Sequence, residues 1–262
     1  MDAYSDCVRQ AKEISKKIHS LKNRQGNFEN KFFVEFPDIS DLHYKNSILI
    51  LGLNPSGFGE REPNLFWYIP DIDGLTEFSA KTHKQAKKFT YERYFKTYIE
   101  LFKKLNYNPI WYNRNILEEI FHNHSEKWHL KEDLKNHLQE FFCENDKRQY
   151  IIFADLIQYT ERDSKEITKH FKDIIEPLNN YVKSLFDYLK PTIILSANAF
   201  VSNYLVELFN GDKNATYIDI GNGETYKTRI FLASMLTGQR AMDTFSRQRL
   251  FNEIQSYIAC ES

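Results

Sequence analysis

Four short segments of the chain are almost entirely apolar, and turn-forming residues bound each of them. Apolar runs of this length without polar alternation are typical of strands that are buried on both faces, as in a parallel sheet covered by helices. They therefore predict a central four-stranded parallel sheet. The predicted strands are residues 47–53, 150–156, 192–197 and 229–235.

Segments with helical periodicity lie between and after these strands, at residues 90–105, 164–189, 199–209 and 238–258. Strands that alternate with helices predict an α/β fold, here a three-layer α/β/α sandwich with right-handed crossovers. Residues 1–45 are predicted to form a helical N-terminal cap with a turn at 36–40, and residues 113–148 a helical insertion. Both are expected to decorate the core of a single domain that spans residues 1–262, because no linker or repeat divides the chain.

Charge and cysteine content restrict the classes of function. The chain has 35 basic and 36 acidic residues, so a binding surface for nucleic acid must be local rather than global. Its three cysteines, Cys7, Cys143 and Cys260, are far apart, which excludes a zinc ribbon and a disulfide framework and fits a reducing cytoplasm. No segment approaches the roughly 18 apolar residues that a membrane span needs.

A metal site is not expected either. His122, His124 and His129 cluster in the sequence, but their spacing does not place all three on one helical face, and no HExxH motif accompanies them. They are interpreted as residues of a solvated helix or of a contact between helices.

In open parallel sheets, ligands bind outside the carboxyl ends of the strands. The residues that directly follow each predicted strand are therefore the functional candidates. These are residues 52–59, 155–159, 196–198 and 234–240.

The first of these loops reads GLNPSGFG and has the sequence of a tight, backbone-rich turn. It lacks both the GxxxxGK[ST] lysine and the GxGxxG spacing, so it matches neither nucleotide-binding motif. Taken alone, the loop is as consistent with a purely structural turn as with a functional loop. In the structural turn, glycine would permit positive φ and proline would stiffen the exit.

An apolar strand that ends in Gly-x-Asn-Pro-Ser, followed by an aromatic-rich loop and three further apolar strands, resembles the uracil-DNA glycosylase superfamily. The similarity is closest to the mismatch-specific branch, whose first motif is Gly-Ile-Asn-Pro-Gly, and it extends over roughly residues 46–258. It implies that Asn54 positions the water that attacks C1′ of a flipped nucleotide. It also implies a base pocket, with backbone and side chains contributed by Gly52, Leu53, Pro55, Ser56, Ser196 and Asn198.

The resemblance also gives roles to the aromatic loop and to the end of the second long strand. One of Phe66, Trp67 and Tyr68 would stack on the base, with Phe66 and Tyr68 as the candidates for the pocket. Asp155, followed by Gln158 and Tyr159, stands where the family reads the base edge. An ionised carboxylate only accepts hydrogen bonds, which favours a base with N–H groups over uracil. Asp155 has two other interpretations, as a turn cap and as the general base, since burial favours its protonated form.

The last loop departs from the family pattern. Active members often have His-Pro-Ser there, but this chain has no histidine after His170. Leu236 is expected to act as the apolar wedge in DNA. The remaining predicted DNA contacts are Ser234 and, at the opening of the final helix where backbone N–H groups favour an anion, Thr237, Gly238, Gln239 and Arg240.

Three functions remain open from the sequence. The first is a monofunctional, cofactor-free DNA glycosylase, expected as a monomer, that acts on duplex or single-stranded DNA in repair or in defence against foreign DNA. The second, indicated by the missing histidine, is an inactive relative that binds DNA or senses modified bases. The third, indicated by the neutral charge, is a hydrolase of free nucleosides or nucleotides. A lyase is not expected, because none of the four strand-end loops contains a lysine.

Overall fold

The computed structural model describes residues 2–23, 46–54, 108–110, 149–159, 161, 163–221, 227–236 and 241–261. Three predicted features lie outside these residues: the turn at 36–40, the helix at 90–105 and the helical insertion at 113–148. The described strands are β1 (Asn46–Gly52), β2 (Asn108–Ile110), β3 (Gln149–Asp155), β4 (Ile193–Ser196), β5 (Tyr217–Ile220) and β6 (Thr228–Leu232). The described helices are α1 (Ala3–Leu21), α2 (Ser164–Thr168), α3 (Phe171–Leu189), α4 (Ala199–Leu208) and α5 (Thr244–Glu261).

These strands form one mostly parallel sheet in the order β2-β3-β1-β4-β6-β5, so the predicted α/β class is confirmed. The four predicted strands lie side by side in its centre, and all three of their pairings are parallel. The predicted number of strands is wrong, because β2 extends the sheet at one edge and the antiparallel β5 at the other. Both edge strands are too short, at three and four residues, to form a continuous apolar run.

Strand β1 is buried on both faces, as its unbroken apolar sequence predicts. Leu49 and Leu51 belong to the hydrophobic cluster that includes α1 and α3, whereas Ile48 and Ile50 point to the opposite face and are at most 2% exposed. On that opposite face, Phe231 of β6 contacts Tyr257 of α5, with 6.2 Å between the ring centroids. Helices therefore pack on both faces of the sheet.

The N-terminal helix α1 is part of the core, and the prediction that it only decorates the core is wrong. It presents Cys7, Ala11, Ile14 and Ile18 to the main hydrophobic cluster, and each of these side chains is at most 2% exposed. A hydrogen bond of 3.1 Å from Gln10 Nε2 to Ser184 Oγ adds a polar contact with α3. Helix α1 is thus packed against α3 by both apolar and polar contacts.

The predicted helix at 164–189 is two helices. Helix α2 begins after Asp163, whose carboxylate accepts a hydrogen bond of 3.0 Å from the Lys165 backbone N–H, and it ends at Thr168. Helix α3 begins at Phe171, directly after His170. Helix α3 continues through Pro177, which cannot donate to the carbonyl of Asp173, four residues earlier. Lys17 Nζ of α1 donates to that carbonyl instead, so the missing helical hydrogen bond is replaced from a neighbouring helix.

The last helix begins at Thr244, six residues later than predicted. Asp243 precedes it, and its carboxylate accepts hydrogen bonds from the Ser246 backbone N–H at 2.9 Å and from the Ser246 hydroxyl at 2.6 Å. These contacts lower the pKa of Asp243, so the cap is a carboxylate at neutral pH. Among the described helices, none has both the length and the apolar character needed to cross a membrane.

The antiparallel edge of the sheet is held by Arg229 of β6. Its guanidinium donates to both carboxylate oxygens of Asp219, at 2.7 and 2.8 Å, and lies 4.0 Å from the ring centroid of Tyr217 and 4.2 Å from that of Tyr257. A planar group between two rings combines a bidentate ion pair with two cation–π contacts. Arg229 therefore links β5, β6 and α5.

Replacing Arg229 with alanine is expected to lower the free energy of unfolding by about 1 to 3 kcal/mol, because the ion pair and both ring contacts are lost. Arg229→Lys keeps the charge but not the planar fork, so it should recover less than half of the loss. The hydrogen bonds from Arg229 lower the pKa of Asp219 below its ordinary value of 3.8. The contribution of the pair should therefore be complete above that value and disappear as the pH falls through the lowered pKa. Urea unfolding at pH 7 and pH 3 measures this; equal stability of the lysine variant and the parent would contradict the stacking argument.

Candidate functional site

The carboxyl ends of the four central strands meet at one edge of the sheet, because these strands are parallel. Gly52 at the end of β1 is in register with Asp155 at the end of β3. The pairing continues past the strands, with hydrogen bonds from Leu156 N to Gly52 O at 2.8 Å and from Ile157 N to Leu53 O at 3.0 Å. The first two candidate loops are therefore neighbours in the structure.

The Asp155 carboxylate lies against the backbone of Gly52. A Cβ atom built on Gly52 would be 2.2 Å from Asp155 Oδ1, which no side chain at this position can tolerate without displacing the carboxylate. Asp155 is 6% exposed, so little space is open to it elsewhere. Glycine is thus required at the end of β1 for close approach.

Asn54 is anchored by its amide nitrogen. Nδ2 lies 3.1 Å from the carbonyl oxygen of Glu161 and 3.5 Å from that of Tyr159. Because carbonyl oxygens only accept hydrogen bonds, the nitrogen and not the oxygen of the amide must face them. This orientation fixes the rotamer of Asn54 and with it the direction of Oδ1, the only atom of the side chain that can accept a hydrogen bond.

Gln158 and Tyr159, which follow Asp155, are buried at 1% and 0% exposure. Gln158 Nε2 donates to the Asp155 backbone carbonyl at 2.9 Å and lies 3.5 Å from the Tyr181 hydroxyl in α3, while its Oε1 has no donor within the described part of the chain. Burial raises the pKa of Tyr181. Gln158 and Tyr159 are thus buried in the protein interior, whereas Asp155 is the residue of this loop that lies at the end of β3.

Ser196 and Asn198 have structural contacts after β4. Ser196 is fully buried, and its hydroxyl oxygen lies 2.9 Å from Ser202 Oγ. The Ser202 hydroxyl has one hydrogen, and it donates this hydrogen to the Ala233 carbonyl at 2.8 Å, because a carbonyl can only accept. Asn198 is the N-cap of α4, with Oδ1 accepting from Phe200 N at 2.8 Å. This network joins the ends of β4 and β6.

The last loop differs from its predicted arrangement in two ways. Leu236 is 1% exposed, so it belongs to the core and does not fit a wedge presented to DNA; Ser234 and Met235 are exposed instead. A hydrogen bond of 2.8 Å from Met242 N to Met235 O closes this loop. Helix α5 opens at Thr244, so its predicted opening at residue 238 is wrong, and the Asp243 carboxylate places a negative charge at the observed helix end. The four residues predicted to bind an anion there lie outside the described part of the chain.

Several predicted site residues lie outside the described part of the chain. They include two residues of the first motif, the aromatic loop and four residues of the last loop. They are Pro55, Ser56, Phe66, Trp67, Tyr68, Thr237, Gly238, Gln239 and Arg240. The three clustered histidines also lie outside it, and within it no three His, Cys, Asp or Glu side chains are grouped as metal ligands.

Neither the protein-family models nor the curated proteins gave a match to this chain. The chemistry of the site is therefore argued from its own residues. An anchored amide follows β1 and a buried carboxylate ends β3, and these two strands are neighbours. The amide oxygen of Asn54 can accept a hydrogen bond, and the carboxylate of Asp155 can accept hydrogen bonds or a proton.

The sequence patterns did not indicate two residues that hold this arrangement, Lys22 and Glu161. Their side chains form an ion pair of 2.5 Å next to the anchor of Asn54, and each is 6% exposed. Neither residue belongs to a recognisable motif. A charged residue that is buried by a partner 139 positions away gives no local signal in a sequence.

Proposed function

We propose that this chain is a monofunctional DNA glycosylase with a uracil-DNA glycosylase-like three-layer α/β/α fold. Asn54 orients a water molecule, whose oxygen bonds to C1′ of a flipped nucleotide while the N-glycosidic bond breaks and its electron pair leaves with the base. The water proton passes to Asp155 or to the departing base, and an abasic site remains. The observation that carries the proposal is that the anchored Asn54 and the buried Asp155 carboxylate lie at the carboxyl ends of two neighbouring strands, β1 and β3.

Asp155 also suggests the class of base. An ionised carboxylate at the base edge accepts hydrogen bonds, which favours bases with amino or imino N–H groups over the carbonyl edge of uracil. A damaged, deaminated or modified base that presents such a donor is the expected substrate. The protein is expected to act in the cytoplasm as a monomer without a cofactor.

A second function is favoured by the last loop. The chain has no histidine after His170 to stabilise the departing base. This absence fits a protein that binds DNA and senses a modified base without releasing it.

The test is cleavage of end-labelled DNA. Duplexes and single strands that carry uracil, hypoxanthine, hydroxymethylated or glucosylated bases are incubated with the protein and then treated with alkali. Alkali-labile breaks at one kind of base, absent with Asn54→Ala and retained with Asn180→Ala, would support the glycosylase; Asn180 is an exposed asparagine of α3 and serves as the matched control.

Other outcomes separate the alternatives. Salt-sensitive DNA binding without breaks on any substrate would replace the glycosylase with the inactive reader. Release of bases from free nucleosides, without salt-dependent affinity for DNA, would instead identify a nucleoside hydrolase.

A further inference from the structure

The last turn of α1 contacts the segment that follows β3. His19 Nδ1 lies 3.2 Å from the Tyr159 hydroxyl, and their rings are 6.1 Å apart. One turn further on, Lys22 Nζ lies 2.5 Å from Glu161 Oε2 and 3.9 Å from Glu166 Oε2. Two side chains at the end of one helix thus hold the segment at two points.

The same segment anchors Asn54. The two residues that α1 holds through their side chains, Tyr159 and Glu161, provide through their backbones the two carbonyl oxygens that face Asn54 Nδ2. A shift of Glu161 relative to the sheet would therefore change the acceptor at 3.1 Å directly. The contacts form a continuous path from Lys22 through Glu161 to Asn54.

The ion pair between Lys22 and Glu161 is well placed to hold Glu161 in position. Both side chains are 6% exposed, so water does not readily replace either partner, and an isolated charge left there would be costly. The Lys22 backbone N–H bonds to the Ile18 carbonyl at 3.0 Å, which ties the residue to a helix seated in the core. A cation at a helix C-terminus is also favoured by the helix dipole.

We infer that Lys22 is a positioning residue for Asn54. Lys22 acts through Glu161 to fix the direction of the Asn54 amide. The catalytic consequence rests on the proposed function, whereas the effect on Asn54 itself does not. Helix α1 is accordingly part of the site machinery although it lies more than a hundred residues from Glu161 in the sequence.

The test observes Asn54 directly by NMR. The side-chain amide signal of Asn54 is assigned by its loss in Asn54→Ala, and its exchange with solvent is compared between the parent and variants. Lys22→Met should accelerate this exchange by about tenfold or more, as expected when an anchoring hydrogen bond is lost. Glu161→Gln, which keeps the shape and can still accept from Lys22, should accelerate it less, and Lys22→Arg should remain closest to the parent.

Arg9→Met is the matched control, because Arg9 forms an exposed ion pair with Glu13 on the same helix and does not contact the segment. Unchanged exchange of the Asn54 amide in both Lys22→Met and Glu161→Gln would overturn the inference. If Lys22→Met does not fold, Glu161→Gln decides by the same criterion.

Activity provides a second readout. On a substrate that the parent cleaves, Lys22→Met should lower kcat by about 10- to 100-fold with a smaller change in KM, because a misplaced catalytic group costs rate more than binding. An unchanged kcat beside faster amide exchange would overturn the catalytic consequence. If the parent releases no base from any substrate, the proposed function fails, while the exchange measurement still decides whether Lys22 positions Asn54.

Discussion

Replacing Asn54 with alanine is expected to slow base release by about 100-fold or more, the usual range for loss of a group that positions the reacting molecule. Alanine removes both the amide oxygen proposed to hold the water and the nitrogen that donates to the Glu161 carbonyl. The measurement is the single-turnover rate of abasic-site formation. Asn180→Ala should retain the parental rate.

Asn54→Asp is the more informative change. From the sequence alone, an aspartate here should be faster than asparagine, because it can take the proton of the attacking water. The structure predicts the opposite: a carboxylate cannot donate to the carbonyls of Tyr159 and Glu161 and would be repelled by them. We expect a rate no higher than that of the parent and lower thermal stability. A faster and equally stable Asn54→Asp protein would show that the anchor is not needed.

Gly52→Ala is expected to lower the free energy of unfolding by about 1 to 3 kcal/mol, because the new methyl group must displace the Asp155 carboxylate, 2.2 Å away, within a buried site. The displaced carboxylate should also weaken discrimination between bases. Denaturant unfolding measures the first effect, and relative rates on the substrate panel measure the second.

A double-mutant cycle isolates the cause. In an Asp155→Ala background, the nearest remaining atom to the added Cβ is the Ala154 carbonyl oxygen at 3.9 Å, so Gly52→Ala should cost less than about 0.5 kcal/mol there. An equal cost in both backgrounds would mean that the glycine serves the backbone and not the carboxylate.

The strands that the sequence predicted best are those with continuous apolar runs. The predicted bounds of β1 and β3 differ from the observed ones by a single residue at each end. Strand β5 was missed because its four residues alternate between exposed and buried, and include the Asp219 partner of Arg229. A short edge strand is defined by its neighbour more than by its own sequence.

The sequence predicted the candidate site incompletely for a similar reason. The position of Asn54 followed from its place after β1, but its anchor consists of backbone carbonyls, which every residue has and no sequence pattern marks. Leu236 was assigned as an apolar wedge in DNA by the family resemblance, and the folded chain buries it instead. The start of α5 was placed too early because Asp243, and not the preceding Thr-Gly pair, caps the helix.

The contact between α1 and α3 also has a consequence for synthesis of the chain. The Gln10–Ser184 hydrogen bond joins positions 174 residues apart, so α1 leaves the ribosome long before the helix that it packs against exists. At usual elongation rates this delay is about 10 to 35 seconds. Over that period the apolar face of Cys7, Ala11, Ile14 and Ile18 lacks its native partner in α3, and apolar surface exposed in this way is what chaperones cover during synthesis.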